Sequence, residues 1–274
     1  VRIRRLFILC VAIAVLAVAG CAKEAEEPTV EPKIAPPVIA DAGVLRAGVD
    51  LSYPPFAGVD SGVEAGLDVD IAAAIAERLG LTLQLVDVGA DGAAAIEADD
   101  VDIALGALPI TEAVLANVTF AGSYLVDGAA SFSYEESSTG DVDGGITVLS
   151  SQKVGAQRGS AGYWQLESEY GEGFTVAYDT LREAFDALVA GEVDVVIGDA
   201  AVGAYLARDY QGVVYTGQFG PGTPVGVALA KDATELEEVI RETLDALVAE
   251  GVLDTIKTKW LGSLPSLSTT STGG

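Results

Sequence analysis

Two carboxylates stand at the ends of apolar strand-like runs, Asp50 behind Val44–Val49 and Asp199 behind Val193–Gly198, and they are the residues best placed to do chemistry. Ligands of open α/β sheets bind beyond the carboxyl ends of strands, so acids there meet a ligand rather than bulk water. Two acids without a partner repel each other as they lose hydration, and a cation that pairs with both is favoured. A second candidate is the loop Arg158-Gly159-Ser160-Ala161-Gly162, which follows the strand Lys153–Ala156 and leads toward a helix carrying Trp164. Its backbone N–H groups suit an anionic or polar ligand group. Each candidate has a plainer reading. Asp50 also fits a turn cap before Ser52, and Arg158 a surface ion pair with one of many acids.

What the chain lacks narrows the chemistry further. Its 274 residues include no His, which removes the Ser-His-Asp and Cys-His catalytic sets and every His-metal site. Cys10 and Cys21 are the only cysteines, and both precede the folded part, so neither a zinc framework nor an intradomain disulfide is available. No cofactor and no metal are expected. With 41 Asp+Glu against 15 Lys+Arg the net charge is −26, which excludes nucleic acid as a partner because phosphates need Lys and Arg. Half the residues are hydrophobic, enough for one large or two modest domains.

Residues 1–20 read as an export signal. Arg2, Arg4 and Arg5 precede a charge-free apolar run from Leu6 to Gly20, shorter than the ~20 residues of a spanning helix. Val18-Ala19-Gly20-Cys21 is similar to a bacterial lipobox, in which Cys21 takes a diacylglycerol and anchors the mature protein. A plain secretory signal or an N-terminal anchor helix is the alternative. Residues 21–41, rich in Pro and Glu without periodicity, read as a disordered tether, and residues 263–274 as a disordered tail.

The elements that position the candidates alternate in type. The strand 44–49 is followed by a turn at Ser52-Tyr53-Pro54-Pro55. A helix is predicted from Asp70, as its N-cap, to Leu79, with Ile71, Ile75 and Leu79 on one face and Gly80 as its stop. A strand over 81–86, an Ala-rich helix near 92–98 and a strand over 101–105 come next. Thr180…Glu183 and Thr234…Glu237 read as capping boxes of later helices closed by Gly191 and Gly251. This alternation implies an α/β protein with parallel sheets covered on both faces. Val101-Asp102-Ile103-Ala104-Leu105-Gly106-Ala107 and Val193-Asp194-Val195-Val196-Ile197-Gly198-Asp199 are alike, and read as equivalent strands of two similar lobes, with Ala107 and Asp199 facing across a cleft.

At this point the chain resembles the bacterial extracellular solute-binding proteins of family 3, the polar amino-acid receptors of ABC importers. The motifs are Leu45-Arg46-Ala47-Gly48-Val49-Asp50 with Tyr53-Pro54-Pro55-Phe56, and Gly66-Leu67-Asp68-Val69-Asp70-Ile71. Ile110-Thr111-Glu112 with Phe120 and Tyr124, Gly191-Glu192-Val193-Asp194, and the ending Gly251–Ile256 with Lys259-Trp260-Leu261-Gly262 complete the series. The resemblance implies a type II periplasmic-binding-protein fold: two α/β lobes hinged on two crossing strands. Lobe 1 would take residues 42–128 and 225–262, and lobe 2 residues 129–224.

The family's site carries over only in part. The resemblance implies that Asp199 takes the ligand ammonium and that Asp50 selects cationic side chains. It has Tyr53 and Phe56 stack on the ligand, and backbone groups of Gly106, Ala107 and Leu108 help hold it. The position of the carboxylate-binding Arg is Val114, which offers no charge to a desolvated carboxylate. Arg158, with Ser160, is then the candidate replacement clamp. Gly89-Ala90-Asp91-Gly92 suggests a roomier pocket. The implied function is a lipid-anchored extracytoplasmic receptor with no reaction of its own, delivering a small polar, amine-bearing solute to an ABC permease and its ATPase. A cyclic-acid dehydratase on the same scaffold, or a sensor lobe with a decayed pocket, are the alternatives.

Overall fold

The computed structural model describes residues 31–135 and 149–270. The export signal, Cys21, the first part of the tether and the last four residues lie outside the described residues. In the first half come β1 (Val44–Val49), the hairpin β2 (Gly58–Asp60) and β3 (Val63–Ala65), α1 (Leu67–Leu79) and β4 (Thr82–Asp87). They are followed by α2 (Gly92–Glu97), β5 (Ile103–Ala104), α3 (Glu112–Leu115) and β6 (Thr119–Asp127). In the second are β7 (Ala129–Tyr134), β8 (Val154–Gln157), α4 (Ala161–Tyr170), β9 (Val176–Tyr178), α5 (Leu181–Val189) and β10 (Val195–Asp199). The chain continues through α6 (Ala200–Ala207), β11 (Val213–Gln218), β12 (Thr223–Leu229), α7 (Thr234–Ala249) and α8 (Val252–Leu261). None of the described helices is long and apolar enough to cross a membrane.

The strands form two five-stranded sheets with matching orders, β4-β1-β5-β12-β6 and β9-β8-β10-β7-β11. The two look-alike segments supply the central strands, β5 and β10. Their aspartates do the same work in each lobe. Asp102 N–H donates to Arg46 O and its carboxylate accepts Arg46 N–H at 2.8 Å; Asp194 makes the same pair of bonds with Lys153, also at 2.8 Å. These acids are sheet fasteners, each satisfying an amide that the short central strand leaves open.

The sheets are mixed rather than parallel. β1, β4 and β5 run together, as do β8, β9 and β10, but β12 and β6, and β7 and β11, run antiparallel. The cause is the double crossing between lobes, since a chain that leaves one sheet and returns beside its exit must run in opposite directions. The crossings touch at Gly128 and Gly222. A Cβ on Gly128 would stand 3.1 Å from Gly222 Cα, and one on Gly222 would stand 2.6 Å from Val126 Cγ1, so backbones meet there only because side chains are missing. Thr223 and Pro224 already pair with β6, placing the return into lobe 1 just before the expected residue 225.

Both supposedly loose ends are ordered where described. Ile34 and Ile39 are buried in the lobe 1 core, Lys33 N–H donates to Leu79 O at 2.9 Å, and Ala40 N–H donates to Asp102 at 3.1 Å. The tether therefore gives way to folded chain before residue 41, because two isoleucines bury against lobe 1. At the other end Leu264 packs against the cores of both lobes and Leu267 is buried in that of lobe 2. Ser268 and Gln218 exchange two bonds, of 2.6 and 2.7 Å, and Gly222 N–H donates to Ser268 O at 2.8 Å. Residues 263–270 form a strap from lobe 1 across the hinge.

Two helix starts also differ from expectation. α1 begins at Leu67 with Gly66 as its N-cap, and Asp70 instead accepts Lys259 Nζ and Trp260 Nε1, both at 2.6 Å, tying α8 to α1. α7 has Ala233 at its N-cap without a side-chain cap, whereas the Thr180–Glu183 box of α5 is complete.

Candidate functional site

The loop after β1 carries the first candidates. Asp50 Oδ1 accepts Ser52 N–H at 2.9 Å and Ser52 Oγ–H at 2.6 Å, so Asp50 does act as the turn cap, at the carboxyl end of β1. Tyr53 stacks on Phe56 with ring centroids 5.2 Å apart. Phe56 is 0% exposed and belongs to the lobe 1 core, whereas Tyr53 keeps 36% of its surface. The expected Phe56 contact is therefore corrected: it has no free face for a ligand and only backs Tyr53. The Tyr53 hydroxyl is held well above its ordinary pKa, first by burial and then by Asp199, Asp127, Asp50 and Asp68. One phenol thus senses four carboxylates.

Below it lies Asp68, fully buried in the first turn of α1. Its Oδ2 accepts the N–H groups of Gly106 at 2.6 Å and Ala107 at 3.0 Å. Both residues have positive φ, 85° and 54°, and the carboxylate offsets the strain this places on Ala107. The Gly106 and Ala107 amides are consequently spent on Asp68 and unavailable to a ligand. Leu108 is buried and its carbonyl accepts Gly226 N–H at 3.1 Å. Burial pushes the Asp68 carboxyl up to about 6, against the lowering influence of the Tyr124 hydroxyl and the two amides. Asp68 Oδ1 and the Tyr124 hydroxyl are close but outside hydrogen-bond geometry, and both are buried without a partner.

Asp199 closes β10 and caps α6, accepting Val202 N–H at 3.0 Å. Beside it is an acid the sequence reading did not single out, Asp127, the buried last residue of β6, which accepts Ala201 N–H at 3.1 Å. Burial pushes both carboxyls up, and the Asp127 charge pushes Asp199 further. The available signal for Asp127 is a lone charge closing a strand that carries no other, directly before a glycine. None of Asp50, Asp68, Asp127 and Asp199 is in an ion pair among the described residues. Nor does any group of three His, Cys, Asp or Glu among them stand where it could hold a metal ion.

The expected anion clamp is not assembled. Arg158 lies 3.7 Å from Asp179, donates to Ala177 O at 3.4 Å and is 61% exposed, so it is the surface ion pair of its plainer reading. Ser160 caps α4, its Oγ accepting Tyr163 N–H at 3.1 Å. Val114 packs on the apolar cluster around Ile96 and Val118. The site is thus rich in acceptors for a cation and has no charged partner for a carboxylate among the residues named.

Two α/β lobes, each a five-stranded mixed sheet, joined by a double crossing define a type II periplasmic-binding-protein fold. Residues 45–263 match the bacterial extracellular solute-binding proteins, family 3, and the chain belongs to that family. It is 28% identical to a putative ABC transporter arginine-binding protein 2 of Escherichia coli K12, over 80% of this chain and 91% of the relative. It is 30% identical to an L-arginine-binding protein of Pseudomonas aeruginosa, over 82% and 90%. Among solved structures, an ancestral cationic amino acid solute binding protein aligns with a TM-score of 0.71 and 26% identity, covering 80% of this chain and 96% of that one.

Proposed function

We propose that this chain is an extracytoplasmic receptor for a small cationic, amine- or guanidinium-bearing solute, held between its lobes and passed to an ABC permease and its ATPase. The observation that carries the reading is the group of four acids that act on Tyr53 (Asp50, Asp68, Asp127 and Asp199), none of them in an ion pair among the described residues. An organic cation supplies the missing charge, and Tyr53 adds a cation–π face worth ~0.5–2 kcal/mol. The arginine-binding names of two relatives agree with it. With Val114 in the usual clamp position, the amine or guanidinium end supplies more of the affinity than the α-carboxylate. Anchoring through a lipid on Cys21 belongs to the same reading.

A thermal-shift panel of L-arginine, L-lysine, agmatine, putrescine, L-glutamine and L-glutamate tests it. At 100-fold excess over its Kd a true ligand stabilises by ~2.7 kcal/mol. Stabilisation by the cations alone is expected, and it should weaken sharply in Asp199→Asn. Stabilisation by L-glutamate but by none of the cations would contradict the reading.

A further inference from the structure

Asp127 and Asp199 come from different lobes yet share one helix turn. Neighbouring amides of α6 hold them, Ala201 N–H to Asp127 Oδ1 and Val202 N–H to Asp199 Oδ1. The hinge fixes the arrangement: Asp199 lies opposite Ala129 in the β10–β7 ladder, and Ala200 N–H donates to Gly128 O at 2.8 Å. Held on successive amides of one helix turn, the two carboxyls are near enough for each to act on the other's titration. Around them the charged and titratable groups are Asp50 and Asp68, both acidic, and the phenols Tyr53 and Tyr124. A helix N-terminus supplies only about half a positive charge, too little to keep two neighbouring carboxylates, one buried and one half-buried, both ionised.

We propose that Asp127 and Asp199 share one proton in the empty receptor and release it to solvent when the ligand's ammonium or guanidinium enters. Capture is then an exchange of a proton for an organic cation. The inference rests on the cationic reading above and makes Asp127 a specificity-determining residue of that site. The balance is simple: the carboxylic O–H of the pair breaks, its proton passes to buffer, and the ligand's N–H donors take its place between two carboxylates. A neutral solute cannot replace the proton's charge and binds without releasing it. Below the upper titration of the pair the proton competes with the ligand, so affinity falls up to tenfold per pH unit on acidification. Above it, affinity levels off. The upward shift of both carboxyls agrees with this.

Calorimetry of L-arginine binding in two buffers of different ionisation enthalpy counts the protons. Near neutral pH the wild-type protein is expected to release about one proton per ligand, and Asp127→Asn close to none. Infrared spectroscopy of the empty protein supplies a second, ligand-free measurement: a protonated-carboxyl band present in the wild type and reduced in Asp127→Asn. Tight L-arginine binding with no proton release would overturn the exchange while leaving the cationic reading in place. Failure of L-arginine and the other cations to bind would overturn that reading and the exchange with it. Absence of the infrared band would overturn the shared proton whatever binds.

Discussion

Asp68 holds closed the turn that Ala107 makes, its Oδ2 accepting Ala107 N–H at 3.0 Å from beneath the site. This carboxyl titrates near 6 in the folded chain against 3.8 ordinarily, so the native state binds the extra proton between those values. The stability Asp68 contributes is therefore greatest below about 4 and is lost as pH rises through about 6. Asp68→Asn keeps an oxygen for both amides and turns an NH₂ toward the Tyr124 hydroxyl. In neutral buffer it is expected to be as stable as the wild type or more so, by up to ~3 kcal/mol, with a flatter stability–pH profile. Urea unfolding across pH measures this, and a loss above ~2 kcal/mol at neutral pH would show that the charge itself is needed.

The strap gives a second expectation. Leu267 fills the lobe 2 core from a segment that leaves lobe 1, so Leu267→Ala is expected to cost ~2–5 kcal/mol in chemical denaturation. Gln218→Ala, which removes the reciprocal bonds to Ser268, is expected to cost ~1–3 kcal/mol. Wild-type stability in both variants would mean that the strap is not held in solution.

Lipidation is tested without reference to the fold. Intact mass of the membrane fraction is expected to show a diacylglyceryl chain beginning at Cys21, and Cys21→Ser is expected in the soluble fraction. An unmodified wild type would exclude the anchor.

The lobes were legible because strand ends and repeats leave local marks. The Val-Asp…Gly segments at 101 and 193 revealed the central strands, and Asp199 was readable as the residue after one of them. Asp68 and Asp127 were not readable as site acids, because binding an amide from a distant loop has no sequence period. Tyr53 and Phe56 look equivalent in sequence, and only packing decides that one ring faces outward and the other is buried. Ile34, Ile39, Leu264 and Leu267 are apolar residues within Pro- or Ser-rich stretches without periodicity, where composition suggests solvent and tertiary packing overrides it.

Titration calorimetry of L-arginine beside agmatine, its decarboxylated amine, tests the central claim most directly. If the cation dominates recognition, agmatine binds at least as tightly as L-arginine. Asp199→Asn, which leaves the ligand charge less well paired, then weakens both by ~30- to 1,000-fold, the equivalent of ~2–4 kcal/mol. Tight binding of L-arginine that disappears with the carboxylate, and that survives Asp199→Asn unchanged, would contradict the account.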